Sequence, residues 1–140
     1  MSGGKKMNSN PNQDEVDFVN KSLEEYNTKI VGPDNHKFLN IVEYNDKHEI
    51  IGGLLGGTYW GWLYINILWV DEKYRKQGIG SRLIEEAELK AKEQGCRYSH
   101  VDTMSFQAPK FYKKHHYRVI GVVKNIPKGQ KKYHLVKKLK

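Results

Sequence analysis

The chain has 140 residues, 38% hydrophobic and 11% aromatic, enough for one domain with a real core and too apolar for a disordered chain. Its net charge of +8 is uneven: residues 1–70 carry six Lys/Arg against nine Asp/Glu and residues 71–140 eighteen against seven, a balance expected of either a polyanionic partner or a solvated surface. No run approaches the roughly 20 apolar residues of a membrane span, the polar opening Met1 to Asn10 lacks the apolar core of a secretory signal, and the single cysteine, Cys96, suits a reducing compartment, so a cytoplasmic protein with no membrane partner is expected.

Nothing divides the chain into repeats or linked parts, and a single domain over 1–140 is expected, with residues 1–10 a frayed end or a short edge strand. From Gln13 to Ile30 the apolar residues Val16, Val19, Leu23, Tyr26 and Ile30 recur every three or four positions, one face of a helix, with Asn10 or Asn12 as cap and Gly32-Pro33-Asp34-Asn35 as stop. Strands are expected over Phe38–Tyr44, from Glu49 to about Thr58, and over Trp62–Val70. Gly52, Gly53, Gly56 and Gly57 are unusual in a strand; they point to a bulge or a close backbone approach, or else to a loose sheet edge. The turn Gln77-Gly78-Ile79-Gly80 opens a helix running to about Gln94, with Ile79, Leu83, Ile84, Ala87 and Ala91 as its apolar face and Gly95 as its end. A strand over Tyr98–Met104, a short helix over Ala108–His115 with Pro109 in its first turn, and strands over Tyr117–Lys124 and Tyr133–Leu139 complete an α+β order.

The chemistry concentrates in Leu68-Trp69-Val70-Asp71-Glu72-Lys73-Tyr74-Arg75-Lys76-Gln77-Gly78-Ile79-Gly80-Ser81-Arg82-Leu83. An apolar strand ends, a basic turn follows, and two glycines stand where a helix begins. The first turn of a helix leaves backbone N–H groups without intrahelical partners, and the helix dipole adds partial positive charge there. Glycine removes the Cβ that would hold a phosphate away, so the segment suits a pyrophosphate, with Arg75, Lys76 and Arg82 adding charge.

Arg75-Lys76-Gln77-Gly78-Ile79-Gly80 resembles the Arg/Gln-x-x-Gly-x-Gly/Ala signature of the GNAT acetyltransferases, and Ala108-Pro109-Lys110-Phe111-Tyr112 resembles that family's Ala-x-x-Phe-Tyr helix. The resemblance runs from about residue 38 onward. It implies an acyl-CoA N-acyltransferase fold, with a mixed, mostly antiparallel central sheet of six to seven strands flanked by helices. It also implies an N-acetyltransferase that takes its acetyl group from acetyl-CoA, without a metal, and passes it to a small-molecule or protein amine. By the same resemblance Leu68, Trp69 and Val70 meet the pantetheine arm, Arg75, Lys76, Gln77, Gly78, Ile79, Gly80 and Ser81 hold the pyrophosphate, and Ser105 touches the cofactor or a helix start. Tyr112 falls where the family carries a tyrosine that protonates the departing thiolate; the alternative is a core-facing aromatic on a short helix, and its place beside Phe111 and after Ala108 favours the catalytic role. A Rossmann site is disfavoured because Leu83 stands where that pattern needs its third glycine.

Three positions depart from the family pattern. Ser105 replaces an asparagine, His116 a glycine ahead of Tyr117, and Tyr64 the glutamate base of histone-type relatives. Asp102, Glu43 and His100 remain as candidate proton acceptors, with Asp102 read first as a structural hydrogen-bond partner in its strand. His115 and His116 are adjacent, a spacing that turns the side chains apart on a helix and argues against a metal pair. The aromatic cluster Tyr59, Trp60, Trp62 and Tyr64 reads either as an acceptor wall or as core packing with a homodimer contact. The basic second half keeps open a different class of function, a catalytically inert fold that binds nucleic acid or the ribosome, although no RNA-binding motif supports it.

Overall fold

A computed structural model describes residues 4–140 of the chain, in two compact units, residues 4–34 and 35–140. The first unit is built on one helix, α1 (Gln13–Val31). Asn12 caps it: its side chain accepts from the Glu15 N–H at 2.9 Å, and the Glu15 carboxylate accepts from the Asn12 N–H at 3.0 Å. Gly32, at φ 86°, ends it in a conformation glycine adopts without cost. Gly4 to Asn12 form no strand, and residues 1–3 of the suggested edge strand lie outside the described residues. One helix alone offers its Val16–Ile30 stripe nothing to pack against within its unit, and none of its residues is buried.

The second unit runs β1 (Lys37–Tyr44), β2 (Ile50–Tyr59), β3 (Trp62–Val70), α2 (Ile79–Glu93), β4 (Tyr98–Met104), α3 (Pro109–Lys114), β5 (Arg118–Lys124) and β6 (Lys131–Lys138). The strands form one six-stranded sheet in the order β1-β2-β3-β4-β6-β5. Every neighbouring pair is antiparallel except β3 and β4, which α2 joins as a crossover and therefore leaves parallel. The mixed, mostly antiparallel sheet expected from the sequence is thus present. A 3-10 turn at Glu72–Tyr74, which periodicity does not reveal, tightens the link from β3 to α2.

The core lies between α2 and one face of the sheet. Leu54, Leu63, Ile84, Ala87, Ala91 and Leu135 are fully buried there, and the helix contributes the predicted face of Ile79, Leu83, Ile84, Ala87 and Ala91. Truncating Leu54 or Leu63 to alanine removes contacts worth about 2–5 kcal/mol. One polar network sits inside this packing. Glu88 accepts from Tyr117 Oη at 2.9 Å and from Lys137 Nζ at 2.7 Å, and Ser99 Oγ bonds the same phenol at 2.7 Å. A buried carboxylate so paired is satisfied, and burial beside it pushes the Tyr117 phenol well above its ordinary value.

The glycines of β2 belong to an interior strand, not a loose edge. The register against β3 shifts between Leu55 and Gly56, and a Cβ on Gly56 would collide with the Tyr64 carbonyl oxygen. The bulge bends β3 at the point where its pairing with β4 ends.

Candidate active site

Strands β3 and β4 pair only from Trp62 opposite Tyr98 to Ile65 opposite Val101. Beyond that point Asn66–Val70 keeps β2 on one side only, while β4 continues against β6. The sheet therefore parts, and β3 offers a free backbone edge. A cavity of about 680 Å³ fills the gap. Leu68, Trp69 and Val70 line one side, Val101, Asp102 and Thr103 another, and the start of α2 a third.

The start of α2 differs from that of α1 in the respect that matters for anions. Gly78, its N-cap, sits at φ 80° and supplies no side-chain hydrogen bond, and no acidic residue stands in the first turn. In α1, Asn12 and Glu15 close the equivalent groups and Asp14 adds negative charge. The first-turn N–H groups of α2 are thus left for an external acceptor. Arg75, Lys76, Gly78, Ile79, Gly80 and Ser81 all line the cavity, as the sequence pattern requires. Arg75 is steered by its own Nε, which donates to the Val70 carbonyl at 3.2 Å. Lys76 adopts φ 64°, a left-handed conformation that turns the chain sharply before Gly78.

Three expected contributors lie elsewhere. Gln77 does not line the cavity; its carbonyl accepts from Arg82 Nη1 at 3.4 Å. Arg82 is engaged by Glu43 through two bonds of 2.6 and 3.1 Å, which raises its guanidinium pKa and occupies both groups. Ser105 accepts from the Lys131 N–H at 2.9 Å and donates to Gln130 at 2.6 Å, so it anchors the start of β6 outside the cavity.

Tyr112 is 4% exposed, belongs to the core and still lines the cavity. Burial pushes its phenol up to about 12, which keeps the hydroxyl protonated throughout the physiological range. Sequence reasoning missed Phe106, Gln107 and Phe111 as cavity walls. For Phe111 a signal exists: a Cβ on Gly80 would stand 3.2 Å from its ring, so the second glycine of the motif also makes room for α3. Cys96 is buried and burial raises its thiol pKa, consistent with packing and not with a nucleophile.

A second cavity, of about 370 Å³, adjoins the first and shares Asn66, Val101 and Asp102 with it. Tyr59, Tyr64 and His100 form its walls, and Tyr64 Oη lies 2.7 Å from His36 Nε2. Trp60 and Trp62, the other members of the aromatic cluster, do not line it; Trp62 stacks on Tyr98 at 4.9 Å. Among the described residues no helix is long and apolar enough to cross a membrane.

Known proteins agree with this architecture. The model of the acetyltransferase (GNAT) family matches residues 7–117. A blasticidin-S acetyltransferase of Streptomyces morookaense is 44% identical over 95 residues, covering 67% of this chain and 70% of that protein. The crystal structure of an acetyltransferase from Bacillus cereus superposes with a TM-score of 0.89 at 39% identity, covering 96% of this chain and 98% of that one. An acetyltransferase of Bacillus anthracis, solved in complex with acetyl coenzyme A, superposes with a TM-score of 0.65 at 26% identity over 81% of this chain and 67% of that one. On the parted sheet, the open helix start and the match to the family model across both units, the chain belongs to the GNAT family and is an acetyltransferase.

Proposed function

We propose that the first cavity binds acetyl-CoA and that the chain moves the acetyl group onto an amine by direct attack. The observation that carries this reading is the free edge of Asn66–Val70 facing the uncapped start of α2 across one cavity. The pantetheine amides can add to Leu68–Val70 as an extra strand, and the diphosphate can take the N–H groups from Lys76 to Ser81, with Arg75 and Lys76 beside them. The family match spans residues of both compact units, which supports reading the whole chain as one catalytic domain.

In the reaction the amine nitrogen attacks the thioester carbonyl carbon, and the carbonyl oxygen takes the negative charge beside the backbone N–H groups near Val70. The nitrogen attacks after its ammonium has lost one proton to solvent; collapse then breaks the C–S bond, Tyr112 gives its hydroxyl proton to the thiolate sulfur, and the second proton that the nitrogen sheds as the amide forms restores the Tyr112 hydroxyl. The similarity to a blasticidin-S acetyltransferase supports a small-molecule acceptor, and blasticidin S belongs in the first panel of amines. Calorimetry with acetyl-CoA, followed by a free-thiol assay over such a panel, tests both halves. Folded protein that takes up no acetyl-CoA at millimolar concentration overturns the reading. So does saturable, salt-sensitive binding of nucleic acid together with no thiol release above background.

A further inference from the structure

The two adjoining cavities differ in charge. Arg75 and Lys76 line the first. Among the described residues, neither lysine nor arginine lines the second; Asp102 is its one carboxylate, and His36 and His100 are its imidazoles. In a chain with 24 Lys/Arg, a cavity so lined is set against anions. Its walls are rings inclined to one another: Tyr59 and Tyr64 have centroids 5.5 Å apart with planes at 74°, and His100 stands 6.3 and 6.5 Å from them, at 66° and 40°. Burial holds the His100 imidazole below its ordinary pKa, only partly opposed by Asp102, so near neutral pH it presents a ring and not a charge.

Asp102 stands where the two cavities meet. One of its oxygens lies 2.6 Å from His134 Nδ1 and the other 3.7 Å from Lys132 Nζ. A carboxylate offers about four acceptor positions, so these two partners leave room for a further N–H donor.

We propose that the second cavity receives the acceptor and selects a cationic amine that carries a flat aromatic ring: the ring packs against Tyr59, Tyr64 and His100, and the ammonium rests beside Asp102 at the gap between β3 and β4. This assignment rests on the acetyl-CoA reading of the first cavity for its role in catalysis, but not for the binding it predicts. Aromatic faces attract both rings and cations, and a carboxylate at the gap holds the nitrogen close to where a thioester would lie. Of the other candidate bases, Glu43 is committed to Arg82.

The test compares three probes of nearly equal size on the full chain without acetyl-CoA: 2-phenylethylamine, 2-cyclohexylethylamine and 2-phenylethanol. Affinity is read by nuclear magnetic resonance titration, with the His100 imidazole protons as reporter. The aromatic amine is expected to bind about tenfold more tightly than either analogue and to shift the His100 signals. Asp102→Asn is expected to remove most of its advantage over the alcohol, and Tyr59→Leu most of its advantage over the cyclohexyl amine. Tyr59 lines only the second cavity, so Tyr59→Leu should leave acetyl-CoA affinity by calorimetry within twofold. Equal affinity for amine and alcohol, or binding that leaves the His100 signals unmoved, overturns the proposal. Failure of wild-type protein to bind acetyl-CoA strikes the first cavity alone, because the probe titration needs no cofactor.

Discussion

The two cavities are neighbours made from the same pair of strands, yet backbone dominates one and side chains the other. In the first, the working parts are a free strand edge and the bare N–H groups of a helix start, with two basic residues for charge. In the second, they are rings and one carboxylate. Backbone groups are the same in every protein and suit a ligand that is always the same; rings and carboxylates are sequence choices and suit a ligand that differs from one enzyme to the next.

The largest effect should come from reversing charge on the first side. Arg75→Glu combined with Lys76→Glu is expected to weaken acetyl-CoA by more than about a hundredfold by calorimetry, since each lost charge-assisted contact is worth about 1.5–3 kcal/mol, while 2-phenylethylamine affinity stays within threefold. A matching loss of amine binding would show that the two cavities are not separate. Tyr112→Phe should come next, lowering kcat about 10- to 100-fold with little change in KM for acetyl-CoA. With the phenol pushed up to about 12, wild-type kcat should show no loss from tyrosine ionisation up to about pH 10. A decline centred well below that would remove Tyr112 as the proton donor.

A smaller effect separates the cavities by pH. The His100 imidazole titrates below its ordinary value, so it stays neutral through pH 7 and gains charge only in more acidic solution. The groups around it are Asp102, which favours its charged form, and Tyr59, Trp62 and Tyr64, which contribute rings. The KM for a cationic amine should therefore rise several-fold on acidification to below the ordinary histidine range, whereas acetyl-CoA affinity measured over the same range should not follow it. His100→Gln should flatten the amine profile. The smallest effect belongs to neither cavity. His116 holds φ 70°, where glycine rests without strain, so His116→Gly should stabilise the chain by about 0.5–1 kcal/mol in urea titrations and leave both ligands alone.

Much of the scaffold was readable from residue order because its signals are local. The span Trp62–Val70 and the span Tyr98–Met104 were expected to the residue, each being a run of strand formers bounded by turn residues. The apolar stripe from Val16 to Ile30 and the glycine stop at Gly32 outlined α1 in the same way, and the cap left open between Asn10 and Asn12 falls on Asn12. The two-glycine turn before α2 was legible because the property it needs, a missing Cβ before a helix, is written in the residues themselves.

What sequence order did not reveal depends on contacts made at a distance. That β3 leaves β4 after Ile65 follows from the bulge at Gly56 and from the length of the crossover, neither of which has a local signature. Arg82 looked like a phosphate ligand until the fold brought Glu43, 39 residues away, against it. Ser105 was held by Gln130 and Lys131 for the same reason. Glu88 lies on the apolar face of α2, where a carboxylate looks misplaced until Tyr117 and Lys137 are seen to reach it. The gathering of Tyr59, Tyr64 and His100 needed the strand order before it could be recognised as one cavity.

The departure of β3 from β4 is produced by main-chain geometry and by a glycine whose neighbour leaves no space for a methyl group. A window built this way survives changes to the residues around its rim. On the proposed assignment of the two cavities, a change of nucleophile would need only substitutions on that rim, at positions such as 59, 64, 100 and 102, with the window itself left as it is.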